Sequence, residues 1–290
     1  MNLLEAILLG IVQGLTEFLP ISSTAHLTIA GKAFGLISAE HTEAWTAFIA
    51  VIQLGTLTAV LLYFRGDILQ MLVSIFQDVR QRLAGKNDTP MSQETRLAWH
   101  IVLGTLPVGL IGFFFRHVIE GALTKSLIVI IASLAGLAIL LWIAEKIARH
   151  LRNIHEMRWS DALIIGFAQA CALIPGSSRS GTTITAGLFL GMKRESAARF
   201  SFLLSIPAVF ASGVFELAKI YEMMRSGTDV FHFGILNLVI ATIVAGVSGY
   251  AAIAWLLRYL MRNTTMVFVV YRLELALLLT FLLLMNLLQP

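Results

Sequence analysis

The sequence predicts an all-α polytopic membrane protein, an inverted-topology repeat of six transmembrane helices plus two re-entrant helical hairpins. Three observations carry that prediction. Only 13% of the 290 residues are charged, 58% are hydrophobic and the mean hydropathy is +0.83, whereas soluble domains are about a quarter charged. Six apolar stretches approach the roughly 20 residues needed to cross a bilayer as a helix. Two further apolar regions are each broken by a proline and then refilled with Ser and Thr.

Taken in order, the first broken region is 3–36, which carries Gln13 and Glu17 and turns at Pro20. Spans follow at 44–64, 99–115 and 126–143. The second broken region, 162–190, turns at Pro175-Gly176, and spans follow at 200–217, 233–257 and 266–288. Irregular backbone at membrane depth is tolerated only where protein or water covers it. Each broken region therefore reads as two short helices that enter the membrane and leave on the same side.

Composition also excludes partners and chemistries. A net charge of +4 without any basic tract interleaved with aromatics gives no reason to expect nucleic acid. Cys171 is the only cysteine, so neither an intrachain disulfide nor a cysteine-based zinc site can form. The N-terminus lacks the basic region of a signal peptide, and Glu5, Gln13 and Glu17 interrupt its apolar run.

Lys and Arg counts choose the orientation. Segments 65–98, 144–161, 191–199 and 258–265 carry five, four, three and two of them, fourteen in all, against five on the other side. The first four segments are expected to be cytoplasmic, with both termini outside, and this works only if both broken regions re-enter. One membrane domain, 1–290, then divides into pseudo-repeats 1–150 and 151–290. Gly10-x-x-Gln13 recurs as Gly166-x-x-Gln169, each followed six or seven residues later by Pro and then Ser-Ser. Phe48 and Phe202 recur at nearly the same offset. With three spans after each hairpin the halves are inverted, which places a polar site near the midplane where the broken helices meet.

An ionisable side chain at the centre of a bilayer helix costs about 2.5–3.5 kcal/mol on the lenient insertion scale. Glu17 and His26 are therefore expected to line a wet or protein-covered cavity. Gln13 and Glu17, four apart, share a helix face. After Pro20, Ser22, Ser23 and Thr24 supply cap residues for a helix that starts inside the membrane, and its free N–H groups make an anion site. Pro175-Gly176-Ser177-Ser178-Arg179-Ser180-Gly181-Thr182-Thr183 repeats the device and adds a permanently charged fork for phosphate oxygens. Arg179 is the expected clamp, with Ser22, Thr24, Ser178, Ser180 and Thr183 as phosphate donors. Ser22, Thr24, Ser177 and Ser180 would serve equally as plain helix caps. Because Glu17 would repel a bare phosphate, a divalent cation, Mg²⁺ or Ca²⁺, is expected on Glu17 with Gln13 as a neutral oxygen ligand.

His26 follows Ser23 by three residues, so both can face one way, and a histidine in reach activates a weak hydroxyl nucleophile. Ser23 as nucleophile with His26 moving its proton is the leading scheme. A histidine nucleophile, or water activated by Glu17, stays open beside it. Gln53 reads as an interhelical hydrogen bond, Arg272 as a snorkelling or helix-pairing cation, and Cys171 as a packing residue. The histidines at 41, 100, 117, 150, 155 and 232 fall in loops or at span ends.

These motifs resemble the undecaprenyl-diphosphate phosphatases linked to bacitracin resistance. The match rests on Gln13-x-x-x-Glu17-x-x-Pro20-x-Ser22-Ser23-Thr24-x-His26 and on Pro175-Gly176-x-Ser178-Arg179-Ser180-Gly181-x-Thr183. Phe48…Val51-Ile52-Gln53-Leu54-Gly55 and the run 200–207 also look like family segments. Loop 77–98 is the least family-like part. The first motif position is Glu in many members and Gln13 here, which cannot act as a second acid or base. The resemblance implies a hydrolase that removes the terminal phosphate of a polyprenyl diphosphate and recycles the cell-wall lipid carrier at the outer face of the cytoplasmic membrane. It also implies bacitracin resistance. A polyprenyl-phosphate flippase is the rival, since inverted repeats with phosphate-binding helix ends suit transport too. Membrane lipid is a partner in either case, and a homo-oligomer is compatible with both.

Overall fold

The computed structural model describes residues 1–37, 42–85, 89–115, 126–225 and 233–285. The described residues form eleven α-helices: α1 (Leu3–Phe18), α2 (Ser23–Ala33), α3 (Thr42–Tyr63), α4 (Arg65–Leu83), α5 (Gln93–Phe114), α6 (Leu127–Ile147), α7 (Trp159–Cys171), α8 (Arg179–Phe189), α9 (Arg194–Arg225), α10 (Ile235–Leu260) and α11 (Met266–Leu284). Six of them, α3, α5, α6, α9, α10 and α11, are long and apolar enough to cross a membrane. They correspond one for one to the six expected spans. The chain is an all-α polytopic membrane protein.

Boundaries differ where caps decide them. α5 starts at Gln93 because Ser92 caps it, its Oγ accepting from Thr95 N at 3.2 Å. α9 runs for 32 residues and carries Pro207 inside it, so it outlasts the expected span at both ends. α4 is an element that the charge of 65–98 concealed. Its exposed Leu69, Leu72, Val73 and Phe76 form a row at helical spacing, and Asp78 ties it to α5 by accepting from Ser92 N and Oγ at 3.0 Å each. The expected loop cations of 116–125, Lys86, the histidines at 41, 117 and 232, and the end of the last span lie outside the described residues.

The two broken regions are pairs of helices too short to cross, α1 with α2 and α7 with α8, packed in contact within each pair. They match at a constant offset of 156 residues: Leu3 and Trp159 begin the first helices, Ser23 and Arg179 begin the second, and Gly35 and Gly191 end them at φ +66° and +78°. Leu36 N bonds to Gly31 O, and Met192 N to Gly187 O, the same helix-ending turn in each half. The N-caps Ser22 and Ser178 are both left-handed, at φ 75° and 64°. This register aligns Ser22 with Ser178, one step away from the Ser-Ser alignment that the sequence alone suggests. The turn that reaches the cap is one residue longer after Pro175 than after Pro20.

Packing is exchanged between the halves. α1 lies on α10 and α7 on α5, while α3 meets α10 and α9 meets α5. Close approach is bought with glycine: a Cβ on Gly10 would sit 2.6 Å from Ala241 O, and one on its counterpart Gly166 would sit 2.4 Å from Gly104 O. The largest core cluster includes Phe18, Phe64, Phe200 and Phe202. Phe18 meets Phe202 edge-on with centroids 5.4 Å apart, which anchors the end of α1 against α9. At the far ends of α6 and α9, Glu145 accepts from Arg194 Nε at 2.7 Å and from Thr265 Oγ1 at 2.8 Å.

Candidate active site

Glu17 lies one residue before the end of α1 and is the hub of the polar cluster. Its Oε1 accepts from Arg179 Nη2 at 2.7 Å. Its Oε2 accepts from Ser23 Oγ at 2.9 Å and from Gln13 Nε2 at 3.1 Å. Gln13 reaches it because i and i+4 stack on one helix face. Ser23 reaches it because the left-handed step at Ser22 folds α2 back over the end of α1. A non-glycine residue held at positive φ costs about 1–3 kcal/mol and is typical of sites whose geometry the surroundings dictate. Here each hairpin holds one: the capping Ser22 Oγ accepts from Ala25 N at 3.4 Å, and Ser178 Oγ accepts from Gly181 N at 3.2 Å. The first N–H groups of α2 and α8 have no intrahelical partner, so both helices open with free donors.

Arg179 is the first residue of α8 and spans the gap between the hairpins. One arm neutralises Glu17; the other, Nη1, is buried with no hydrogen-bond partner. Such an orphaned donor is costly unless a ligand completes it. Ser180 closes the same gap, its Oγ donating to Leu19 O at 3.0 Å and lying 3.2 Å from Ser178 Oγ.

His26 departs from the expected pairing with Ser23. Its Nδ1 lies 2.7 Å from Ser22 O, and its Nε2 lies 2.6 Å from Tyr271 Oη on α11. A carbonyl only accepts, so Nδ1 carries a proton and donates. In the neutral ring Nε2 then accepts from the tyrosine hydroxyl. The i,i+3 spacing put His26 on the right face, but the backbone carbonyl and Tyr271 turn the ring away, and Ser23 gives its hydrogen bond to Glu17 instead. Tyr271 also stacks on the imidazole, with centroids 5.6 Å apart.

The remaining expected phosphate donors divide. Ser178 caps the opening of α8 with its Oγ, whereas Ser180 is a correction, buried and giving its hydroxyl proton to Leu19 O. Ser22 is buried and spends its hydroxyl as a cap, while Thr24 is exposed on the first turn of α2. Thr183 is a correction: it is 0% exposed, donates to Arg179 O at 2.7 Å and lies 2.6 Å from Ser201 Oγ, which fastens α8 to α9. Periodicity places it one turn inside the helix, behind the opening. Two residues outside the expected site hold it from α11: Tyr271, which the sequence did not single out, and Arg272, expected only as a snorkelling or helix-pairing cation.

Among the described residues no group of three or more His, Cys, Asp or Glu could hold a metal. The protein offers a single carboxylate and one buried, unpartnered amide oxygen, Gln13 Oε1. That donor set fits Mg²⁺ or Ca²⁺, hard ions that take a carboxylate and fill the rest of their shell with phosphate oxygens and water. The Glu17–Arg179 pair also removes half of the reason for expecting one, since the carboxylate already has a counter-charge.

A family model described as bacitracin resistance protein BacA matches residues 6–278. The chain belongs to the BacA family. The BacA-family match takes in the second hairpin and five spans whole, and most of the first hairpin and of α11. A protein of Syntrophobacter fumaroxidans is 57% identical over 273 residues, covering 94% of each chain, and is named undecaprenyl-diphosphatase. Proteins of the same name from Myxococcus xanthus and Chlorobium phaeovibrioides are 51% and 48% identical, and each aligns with the whole of this chain.

Proposed function

We propose that this BacA-family chain hydrolyses undecaprenyl diphosphate to the monophosphate and inorganic phosphate, a reaction that recycles the cell-wall lipid carrier and confers bacitracin resistance. The observation that carries the mechanism is the contact of Glu17 with both Ser23 and Arg179. Ser23 Oγ attacks the terminal phosphorus while its proton passes to Glu17 Oε2, and the bond to the bridging oxygen breaks, releasing polyprenyl monophosphate. Water then attacks the phosphoserine, inorganic phosphate leaves and Ser23 regains its proton. Arg179 Nη1 and the free N–H groups of α2 and α8 stabilise the equatorial oxygens, where phosphoryl transfer concentrates its charge. His26 has both ring nitrogens engaged, by Ser22 O and by Tyr271 Oη, so in this scheme it holds the first turn of α2 in place, and a proton-transfer role would require the ring to leave Tyr271.

A divalent cation held by Glu17 and Gln13 Oε1 would supply further charge neutralisation for the diphosphate. The two hairpins re-enter a cytoplasmic membrane as inverted halves, 1–150 and 151–290, with the site open to the outer side. The Lys and Arg asymmetry and the exchanged packing of α1 on α10 and α7 on α5 support that arrangement. The lipid substrate enters from the bilayer.

The test is phosphate release from a polyprenyl diphosphate by purified protein in detergent, wild type beside Ser23→Ala and Arg179→Ala, with added cation and with chelator. Release that both substitutions abolish is the expected result, and loss with chelator assigns the cation. No release by wild type, with the lipid still bound, overturns hydrolysis in favour of transport.

A further inference from the structure

Arg272 is 1% exposed in the middle of the molecule, and no carboxylate lies within ion-pair distance of it among the described residues. Its burial rules out snorkelling to the interface, and Glu274, two residues on, is exposed on another face. All its partners are backbone carbonyls. Nη1 donates to Pro20 O at 3.2 Å and Nη2 to Gly176 O at 3.2 Å. These two residues are 156 apart, so one guanidinium grips the same carbonyl of each hairpin turn. Both arms also reach Ser177 O at 3.4 Å. Nε donates to Leu134 O at 3.2 Å and Nη2 to Ser133 O at 3.3 Å, which seats the fork on α6. Ser133 in turn donates its hydroxyl to Pro175 O.

We infer that Arg272 is a positioning residue of the two-hairpin site: by clasping Pro20 O and Gly176 O it sets the spacing between Glu17 and Ser23 on one hairpin and Arg179 on the other. It touches no reacting group and acts through the turns. A lysine could not replace it, because an ammonium is a point donor whereas the planar fork fixes two acceptors at a set separation. Gly181 belongs to the same device. A Cβ there would lie 3.0 Å from Arg272 Nη1 and 3.2 Å from Ser178 Cβ, so a methyl group would push the fork against the turn. The inference rests on the active site proposed above.

The experiment measures kcat and KM for a polyprenyl diphosphate, with the thermal unfolding midpoint, in full-length Arg272→Lys, Gly181→Ala and the double variant, beside wild type and Arg179→Ala. A misplacement of about 1 Å can cost about 10²-fold in rate. Arg272→Lys and Gly181→Ala are each expected to lower kcat by about that factor, with KM within about threefold. The midpoint of each is expected to hold, and the double variant to be no slower than the slower single. If Arg272→Lys fails to fold, Gly181→Ala decides alone, with a kcat loss at an unchanged midpoint supporting the clasp. Wild-type kcat in either variant, or losses that multiply in the double, would overturn it. Wild-type release by Arg179→Ala would instead sink the site reading itself.

Discussion

The hairpin of α1 and α2 and the hairpin of α7 and α8 begin and end in the same register, 156 residues apart, and carry different chemistry. Both turn through a left-handed serine cap, and both end on a left-handed glycine. Both hold a fully buried glutamine at the same depth, Gln13 and Gln169. At the positions that matter they diverge: Glu17 faces Leu173, Ser23 faces Arg179, and His26 faces Thr182. The first hairpin thus carries the hydroxyl and the carboxylate it bonds to, and the second carries the guanidinium. Neither is a site alone, because Arg179 on its own lacks the hydroxyl and Ser23 on its own lacks the positive charge. A repeated scaffold supplies two helix openings, and three exchanged side chains make them unlike.

The glutamines make the point in miniature. Gln13 donates to Glu17, whereas both polar atoms of Gln169, whose i+4 neighbour is Leu173, are buried without a partner. The same residue at the same register is bonded through its amide nitrogen in one half and wholly unpartnered in the other.

The largest expected effect comes from erasing the asymmetry at its hub. Glu17→Gln removes the base proposed for Ser23, though not a hydrogen-bond acceptor, and leaves Arg179 buried without its counter-charge. Loss of a general base costs about 10²–10⁴-fold, and kcat for phosphate release should fall toward the upper end of that range. Next is Arg179→Lys, which keeps the charge but cannot hold Glu17 and a phosphate oxygen at once. A fall of about 10²-fold is expected, in line with removal of one oxyanion-stabilising donor, and kcat measured beside KM will show it. His26→Gln and Tyr271→Phe should cost less, about tenfold each, because neither residue contacts Ser23; one hydrogen bond of about 1.4 kcal/mol is a factor of ten. Their double variant should be barely slower than His26→Gln, since the tyrosine acts through the ring. The smallest effect separates the glutamines. Gln169→Leu should leave activity intact and raise the unfolding midpoint, since unsatisfied buried polar groups cost about 1–3 kcal/mol. Gln13→Leu should lower activity.

Much of this was legible in the sequence. Gln13, Glu17, Ser23 and Arg179 stood out because polar groups in an apolar chain require a reason, and the proline breaks marked where the short helices α2 and α8 begin. Thr183 was misread because a motif fixes spacing but not which side of a helix faces the opening; its partner Ser201 lies on α9. Ser23 bonds to Glu17 rather than to His26 for a similar reason. His26 sits at the right interval, but Tyr271 holds it from 245 residues away. Arg272 was illegible as a clasp because its acceptors are backbone carbonyls, which have no sequence signature. The one clue was a cation in a span with no carboxylate on its own face. α4 was hidden by its charges, which outweighed an apolar row visible only at helical period.

The central claim is that Ser23 becomes phosphorylated while Glu17 and Arg179 flank it. The most direct measurement is acid quenching of the full-length protein during turnover of a polyprenyl diphosphate labelled in its terminal phosphate, followed by peptide mapping. The account predicts label on Ser23, more of it in His26→Gln if that residue serves the hydrolysis of the intermediate, and none in Ser23→Ala. Steady turnover by Ser23→Ala at the wild-type rate, with no residue labelled, would contradict it and leave water as the nucleophile.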